Sequence, residues 1–487
     1  MVSTTISKWR NVFGEEDKHG SYDDILIRDA QCEGSMIDVS SQFMGISWKA
    51  SGGTVAIFDI CKFERAMPDI PLIRGHKAPV IDIKFSPFSS DLLATASDDA
   101  TVKLWKIPEG GLKEDMESEI QKFSEHERKA TLIQFHSCVQ EVIASSGADH
   151  SLYVWDITNA KILTSIKLED NSHCLSWNKL GSLIGTATKN HFINIYDPRQ
   201  AENPFVMKTI GHENKIKAAK MGFMDENYIY SSGYNKKNAR EIKLFDMRKF
   251  EEAADVHKLD SQTGLISPYF DEDTKLLFLP GRGEGNLAFV DLNDHKIKPG
   301  NNYSSTVPQK ACAFFPKRTM DYNSSEITRC AKLTQDHVEY LRFKYPRRNM
   351  GFNPDFYPDC LNGEPGLGLD EWLKGENKEA KRQKINTIDN KFKSEIMTFE
   401  KKVEVRKPKD MSKEELLIIN EELTVKVGKL EAEISVLEEK LEQACTSLNP
   451  EEKTEDKPED KPEEKTEDKP EDKPEDKPED KPEEDLA

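Results

Sequence analysis

None of the eight cysteines (Cys32, Cys61, Cys138, Cys174, Cys312, Cys330, Cys360 and Cys445) sits in a Cys-x-x-Cys pair or at the spacing of a zinc finger. That scatter argues against a structural zinc site and against a disulfide framework. No window approaches 18 uninterrupted apolar residues, and the opening stretch from Met1 to Arg10 has no apolar core of the kind a secretory signal needs. A protein without a transmembrane segment, with reduced thiols, in the cytoplasm, is the expectation these absences support. Excess positive charge is missing too: the 487 residues carry a formal net charge of −19, which taken whole disfavours nucleic acid and anionic membrane as partners.

The average hides a strong segregation. From Pro450 onward there are 19 acidic residues against 8 lysines, a net −11, whereas the stretch 374–413 holds 13 basic and 7 acidic residues, a net +6. The final segment repeats Thr-Glu-Asp-Lys-Pro and Pro-Glu-Asp-Lys units; its prolines forbid a helix, and with almost nothing apolar to bury it is expected to be disordered.

What the chain does have is a repeat. Strand-like runs ending in an aromatic or aliphatic residue followed by a polar one recur at Phe58-Asp59, Trp105-Lys106, Trp155-Asp156, Tyr196-Asp197, Phe245-Asp246 and Val290-Asp291, with spacings of 47, 50, 41, 49 and 45 residues. A weaker seventh unit falls at Val338–Phe343. A period of about 40–50 residues with strand-like content predicts an all-β propeller, here with seven blades. Gly75-His76 stands 29 residues before Trp105, and His126 stands 29 before Trp155, with Asp99 and Asp149 at matching places. In WD repeats such His, Asp and Trp sets tie a blade's inner loop to its outer turn, so His76, Ser97, Asp99, Trp105, His126, Asp149 and Trp155 are read as structural. Repeat-locked spacing also disposes of His76, Asp99 and Ser97 as a hydrolase triad. Gly281-Arg282-Gly283-Glu284-Gly285-Asn286 resembles a phosphate-cradling loop, but it lies between two strands of a repeat and is read as a hairpin turn. No catalytic group, metal site or cofactor is predicted, and the chain is not read as an enzyme. The run Trp9–Gly14 has strand propensity and precedes the first repeat, so it is expected to close the ring as the last blade's final strand.

The expected organisation is a propeller over 1–343, an extension over 344–375 packed on it, a basic linker over 376–412, a coiled coil over 413–448 and an acidic tail over 449–487. The coil rests on heptads: Leu416, Leu423, Leu430, Leu437 and Ala444 fall seven apart, each followed four residues later by Asn420, Val427, Ile434, Leu441 and Leu448. A parallel homo-oligomer follows, dimer or trimer; Asn420 at a core position fixes register at some cost in stability. The basic stretch, with Lys401, Lys402, Arg406, Lys407 and Lys409, is either a solvated linker or a contact for an acidic filament, with anionic lipid or nucleic acid as lesser readings.

Taken in order, Val12-Phe13-Gly14, Tyr22-Asp23-Asp24-Ile25, Ala50-Ser51-Gly52-Gly53, the run Gly75–Ile83, Ile107–Leu112, Ser176-Trp177-Asn178, Asp197-Pro198-Arg199, Asp271–Thr274, Pro316-Lys317-Arg318 and Glu371-Trp372-Leu373 closely resemble the coronins. The resemblance spans roughly 9–375 and continues into a terminal coil. It implies a seven-bladed propeller that binds filamentous actin, oligomerises through its coil, and tunes the branched-actin nucleating complex and filament turnover at the actin-rich cell cortex, in motility, phagocytosis and endocytosis. Many coronins place an Arg directly after the Tyr-Asp-Asp-Ile motif to grip the filament; this chain has Leu26 there and Arg28 two residues on, where a strand would return it to the same face. In the coil, the segment Lys426-Val427-Gly428-Lys429-Leu430-Glu431 has Lys where coronins often carry Arg in a trimer signature, and Lys lacks the planar fork. The rival reading is a WD-repeat adaptor for a non-cytoskeletal complex in trafficking or degradation.

Overall fold

A computed structural model describes residues 7–385 except 29–33, 64, 68, 201, 215, 348–352, 354 and 355; the basic residues Lys401, Lys402, Arg406, Lys407 and Lys409, the heptads from Leu416 to Leu441 and the acidic tail lie outside the described residues. Seven antiparallel sheets follow one another around a ring, the seven-bladed propeller expected from the period. Six are four-stranded and the sixth blade has a fifth, short strand. Every repeat marker falls in the third strand of its blade: Trp105 in Val102–Lys106, Trp155 in Ser151–Asp156, Phe245 in Arg240–Asp246, and the weak seventh in Val338–Lys344.

Small residues explain how the blades can crowd towards the axis. The second strands Leu92–Ser97, Val142–Gly147 and Tyr228–Tyr234 are buried almost throughout, and they carry Ala94-Thr95-Ala96-Ser97, Ala144-Ser145-Ser146-Gly147 and Ser231-Ser232-Gly233 at their closely packed ends. Such strands lie between neighbours within their own sheet and between two adjacent blades, and their small residues let those neighbours approach closely. The outermost strands show the opposite pattern: Ala253–Lys258 alternates half-buried and exposed residues along its length, as a strand with one solvated face should.

Ring closure comes from the N-terminal segment. Phe13–Tyr22 pairs antiparallel with Val338–Lys344 and becomes the outer strand of the last blade, so the chain's first strand completes its final sheet. The strand begins at Phe13; Trp9 to Asn11, expected to belong to it, form a turn, with the Val12 N–H donating to the Trp9 carbonyl at 2.9 Å. Trp9 is fully buried against Tyr345 and Phe356, which explains why the turn is held there.

Within a four-stranded antiparallel blade, the loops joining strands one to two and three to four share one face, here the lower. Those joining two to three, and four to the next blade, share the other, here the upper. The Gly281–Gly283 turn joins Leu276–Pro280 to Glu284–Asp291 on the upper face as a tight hairpin, with Gly283 at φ +79°. After the last strand, Asn353 and residues 356–385 cross the lower face as a strap with one short helix, Leu369–Leu373, and a two-residue strand pair between Cys360–Leu361 and Arg382–Gln383.

Candidate functional site

The histidine networks lie on the upper face. His76 Nδ1 is 3.0 Å from Asp99 and His76 Nε2 is 2.8 Å from the Thr95 hydroxyl, which accepts from the Trp105 indole N–H at 2.9 Å. An ionised Asp99 can only accept, so Nδ1 carries the proton and Nε2 accepts from Thr95. Burial raises the Asp99 carboxyl, but bonds from His76 and Thr101 outweigh it and hold the group below the usual carboxylate range. Gly75 precedes His76 because a Cβ there would lie 2.2 Å from the Trp105 ring.

The hydroxyl that joins ring to indole is therefore Thr95, not Ser97. Ser97 donates instead to the Ala78 carbonyl at 2.9 Å and accepts from the Asp99 N–H. Blade 3 carries the same complete network: His126 bonds Asp149 at 2.9 Å and Ser145 at 2.8 Å, and Trp155 donates to Ser145 at 2.9 Å. Desolvation pushes the His126 pKa down, partly offset by Asp149. Gly147, at the position of Ser97, leaves the set intact because that position never belonged to it. A third network sits in blade 5, where His212 meets Ser231 at 3.0 Å and Glu241 at 3.2 Å. Its sequence signal was Gly211-His212 with a hydroxyl 19 residues on, the spacing that also separates His76 from Thr95 and His126 from Ser145.

All these groups face one another and are consumed by the blades. Among the described residues no three His, Cys, Asp or Glu side chains come together as a metal site, and no helix is long and apolar enough to cross a membrane. The described residues also present three surfaces: the two faces and the rim.

Strap and lower face are tightly joined. Tyr357 donates to the Glu326 carbonyl at 3.0 Å, the Gly366 N–H to the Cys138 carbonyl at 2.9 Å, and the Trp372 indole to the Gly181 carbonyl at 2.9 Å. Trp372 is fully buried with its ring 5.1 Å from His136, which also packs on Trp177 at 4.5 Å. His136 accepts at Nδ1 from the N–H groups of Cys138 and Val139 and meets the Gly181 carbonyl through Nε2, so it is held neutral; burial lowers its pKa to about 4. Further along, Arg382 reaches Asp273 at 2.7 Å and Glu272 at 2.8 Å. Residues 376–385, expected to open the linker, thus carry an anchor, and Ile385 is buried in the core of blades 1, 6 and 7.

The upper face beside blades 1 and 7 holds the segment that follows Tyr22-Asp23-Asp24-Ile25. Ile25 and Ile27 point inward and are buried, while Leu26 is 50% exposed and Arg28 is half-buried on the same side. Arg28 donates to the Ala50 carbonyl at 3.3 Å, and the Lys49 N–H donates to the Leu26 carbonyl at 2.9 Å. Lys49 and Arg65 are exposed nearby, Arg65 paired with Asp24. The structure brings Leu26, Arg28 and Lys49 together on a face the strap leaves open.

These features define a WD-repeat β-propeller whose lower face is crossed by a strap of its own chain. A family model described as "WD domain, G-beta repeat" matches residues 69–106, one described as "Type of WD40 repeat" matches 338–380, and "Domain of unknown function (DUF1899)" matches 3–65. Coronin-A of Dictyostelium discoideum is 31% identical over 444 residues, covering 90% of this chain and 98% of that protein. The chain belongs to the coronin family. Coronin-2A of Homo sapiens is 29% identical over 77% of this chain and 73% of its own length. Coronin-like protein crn1 of Schizosaccharomyces pombe is 28% identical over 78% of this chain, which spans 64% of that protein. The WD40 domain of Toxoplasma gondii coronin superposes with a TM-score of 0.75 at 27% identity, covering 78% of this chain and 98% of that one.

Proposed function

We propose that this chain binds filamentous actin through the upper face at blades 7 and 1, assisted by the basic stretch after the strap, and that it works as a homo-oligomer held by the heptads over 413–448. One propeller per coil strand gives the assembly several filament contacts, enough to crosslink or bundle, and weak contacts gain from the high effective concentration that linkage provides. Action on the branched-actin nucleating complex, and residence in the cytoplasm at the actin-rich cortex, follow from the same reading.

The observation that supports it is where the segment after Tyr22-Asp23-Asp24-Ile25 lies. Exposed Leu26 and Lys49 and half-buried Arg28 share a surface opposite the strap, in a member of the coronin family. Leu26 supplies no charge, so Arg28 and Lys49 are assigned the electrostatic role. The double variant Arg28→Glu/Lys49→Glu tests this: reversing two charges at an electrostatic contact should weaken co-sedimentation with filaments about tenfold. Unchanged binding would remove this face from the filament contact. The adaptor reading draws its support from Leu26 and takes over if the intact chain ignores filaments.

A further inference from the structure

The loop from the third to the fourth strand of blade 2 is long and tucks against the edge of blade 1: Met116 exchanges backbone hydrogen bonds with Leu72 and Arg74, and Asp115 holds the Leu72 N–H and the Arg74 guanidinium. It forms an open surface pocket of about 420 Å³ lined by Glu109, Leu112, Lys113, Glu114, Met116 and Glu117 among others. Leu112 and Met116 form an apolar floor continuous with the blade core, while Glu109, Glu114 and Glu117 are exposed at its mouth. An apolar slot rimmed by carboxylates suits an occupant that carries both lysines and large apolar side chains.

The chain carries one within reach of this face. The Asn362 N–H donates to the Lys381 carbonyl at 3.1 Å; next to Asn362, a Cβ on Gly363 would sit 3.7 Å from the Pro87 carbonyl; and the Ile107 N–H donates to the Asp91 carbonyl at 2.8 Å, tying the loop that contains Pro87 to the start of the cavity wall. The strap therefore passes beside blade 2, on the face where the cavity's loop emerges, before Arg382 turns to blade 6 and Ile385 joins the core cluster that also holds Leu72, the blade 1 residue bonded to Met116. Six residues separate Ile385 from Lys391, a reach of up to about 20–22 Å. The segment from there reads Lys391-Phe392-Lys393-Ser394-Glu395-Ile396-Met397-Thr398-Phe399-Glu400-Lys401. Phe392, Ile396 and Phe399 recur at four and three residues, with Lys391, Lys393 and Lys401 as partners for the three free carboxylates.

We propose that residues 391–401 dock in this cavity of their own chain, aromatic side chains on Leu112 and Met116 and lysines on Glu109, Glu114 and Glu117. Docking withholds the start of the basic stretch from an external acidic surface, and so restrains the filament contact; this last consequence rests on the function proposed above, the docking itself does not.

Zero-length carbodiimide crosslinking of the full chain, read by peptide mass spectrometry on mixed isotope-labelled and unlabelled protein, tests it. Links from Lys391, Lys393 or Lys401 to Glu109, Glu114 or Glu117 within one chain are expected at low salt, with a yield that drops about tenfold when salt shortens the screening length to roughly 3 Å. No such links, links only between chains, or these lysines joined indiscriminately to carboxylates elsewhere would overturn the proposal. The variant Glu109→Gln/Glu114→Gln/Glu117→Gln changes only exposed side chains and should pellet with filaments several-fold more efficiently. Unchanged pelleting alongside the expected crosslinks supports the docking and counts against the filament role of the basic stretch.

Discussion

Thr95 accepts the Trp105 indole proton and bonds His76 in the interior of blade 2, while Ser97, two residues on, serves only local backbone groups. Replacing Thr95 by Val keeps the shape but leaves a buried indole N–H and a ring nitrogen without partners, which should cost roughly 2–4 kcal/mol, whereas Ser97→Ala should cost about 1 kcal/mol. Thermal or denaturant unfolding of the two variants checks the order; equal losses would contradict the assignment. His76, Asp99 and Trp105 were legible because their spacing repeats. Thr95 was not, because positions 95 and 97 of one strand project to the same side and both carry hydroxyls, so only the direction of the indole decides between them. The blade 5 set was obscured differently. Its third strand begins later, putting Phe245 at 33 residues from His212 where the first sets have Trp at 29, and Glu241 takes the carboxylate's part.

At the scale of elements, the strap is the piece on which the lower face depends. Trp372 is fully buried, so Trp372→Ala should cost about 3–5 kcal/mol locally and expose residues 374–385 to protease before the propeller itself unfolds. Cleavage at the wild-type rate would show that the other anchors, Arg382 and Ile385 among them, hold the strap without Trp372. Its pH dependence follows from His136. The folded pKa of about 4 lies below the ordinary histidine value of 6.5, so the stabilisation is fully present above pH 6.5 and is lost as pH falls towards 4. That difference corresponds to roughly 3 kcal/mol. Burial raises the Glu272 and Asp273 carboxyls despite Arg382, an effect of opposite sign in acid, so the histidine share is read from the difference between wild type and His136→Gln. Between pH 7 and 5 the wild type should lose more stability than the variant; parallel losses would mean that His136 is not held neutral. The strap was legible as an aperiodic Pro, Gly and aromatic segment lying on the propeller. Its end was not, because Lys378–Lys384 reads as solvated charge, and only the carboxylates of blade 6 turn Arg382 into an anchor.

The whole molecule is proposed to act through linkage of identical propellers. Changing Leu430 and Leu437 to Lys places charge at two core heptad positions and should give a monomer by light scattering, with filament binding weakened and bundling abolished. A variant that stays oligomeric would sink the coil. The ring itself could be read from the period of its third strands, and closure from the early strand. Which face stays open could not, since that depends on where a non-repeating strap comes to rest. Leu26, Arg28 and Lys49 lie together on the upper face, opposite the strap, and that face is the one proposed to meet the filament. High-speed co-sedimentation of the intact chain with actin filaments at two salt concentrations tests that claim most directly. The account predicts pelleting at low salt that weakens as salt rises, because the assigned contacts are charges; an intact chain left in the supernatant at both concentrations would contradict it.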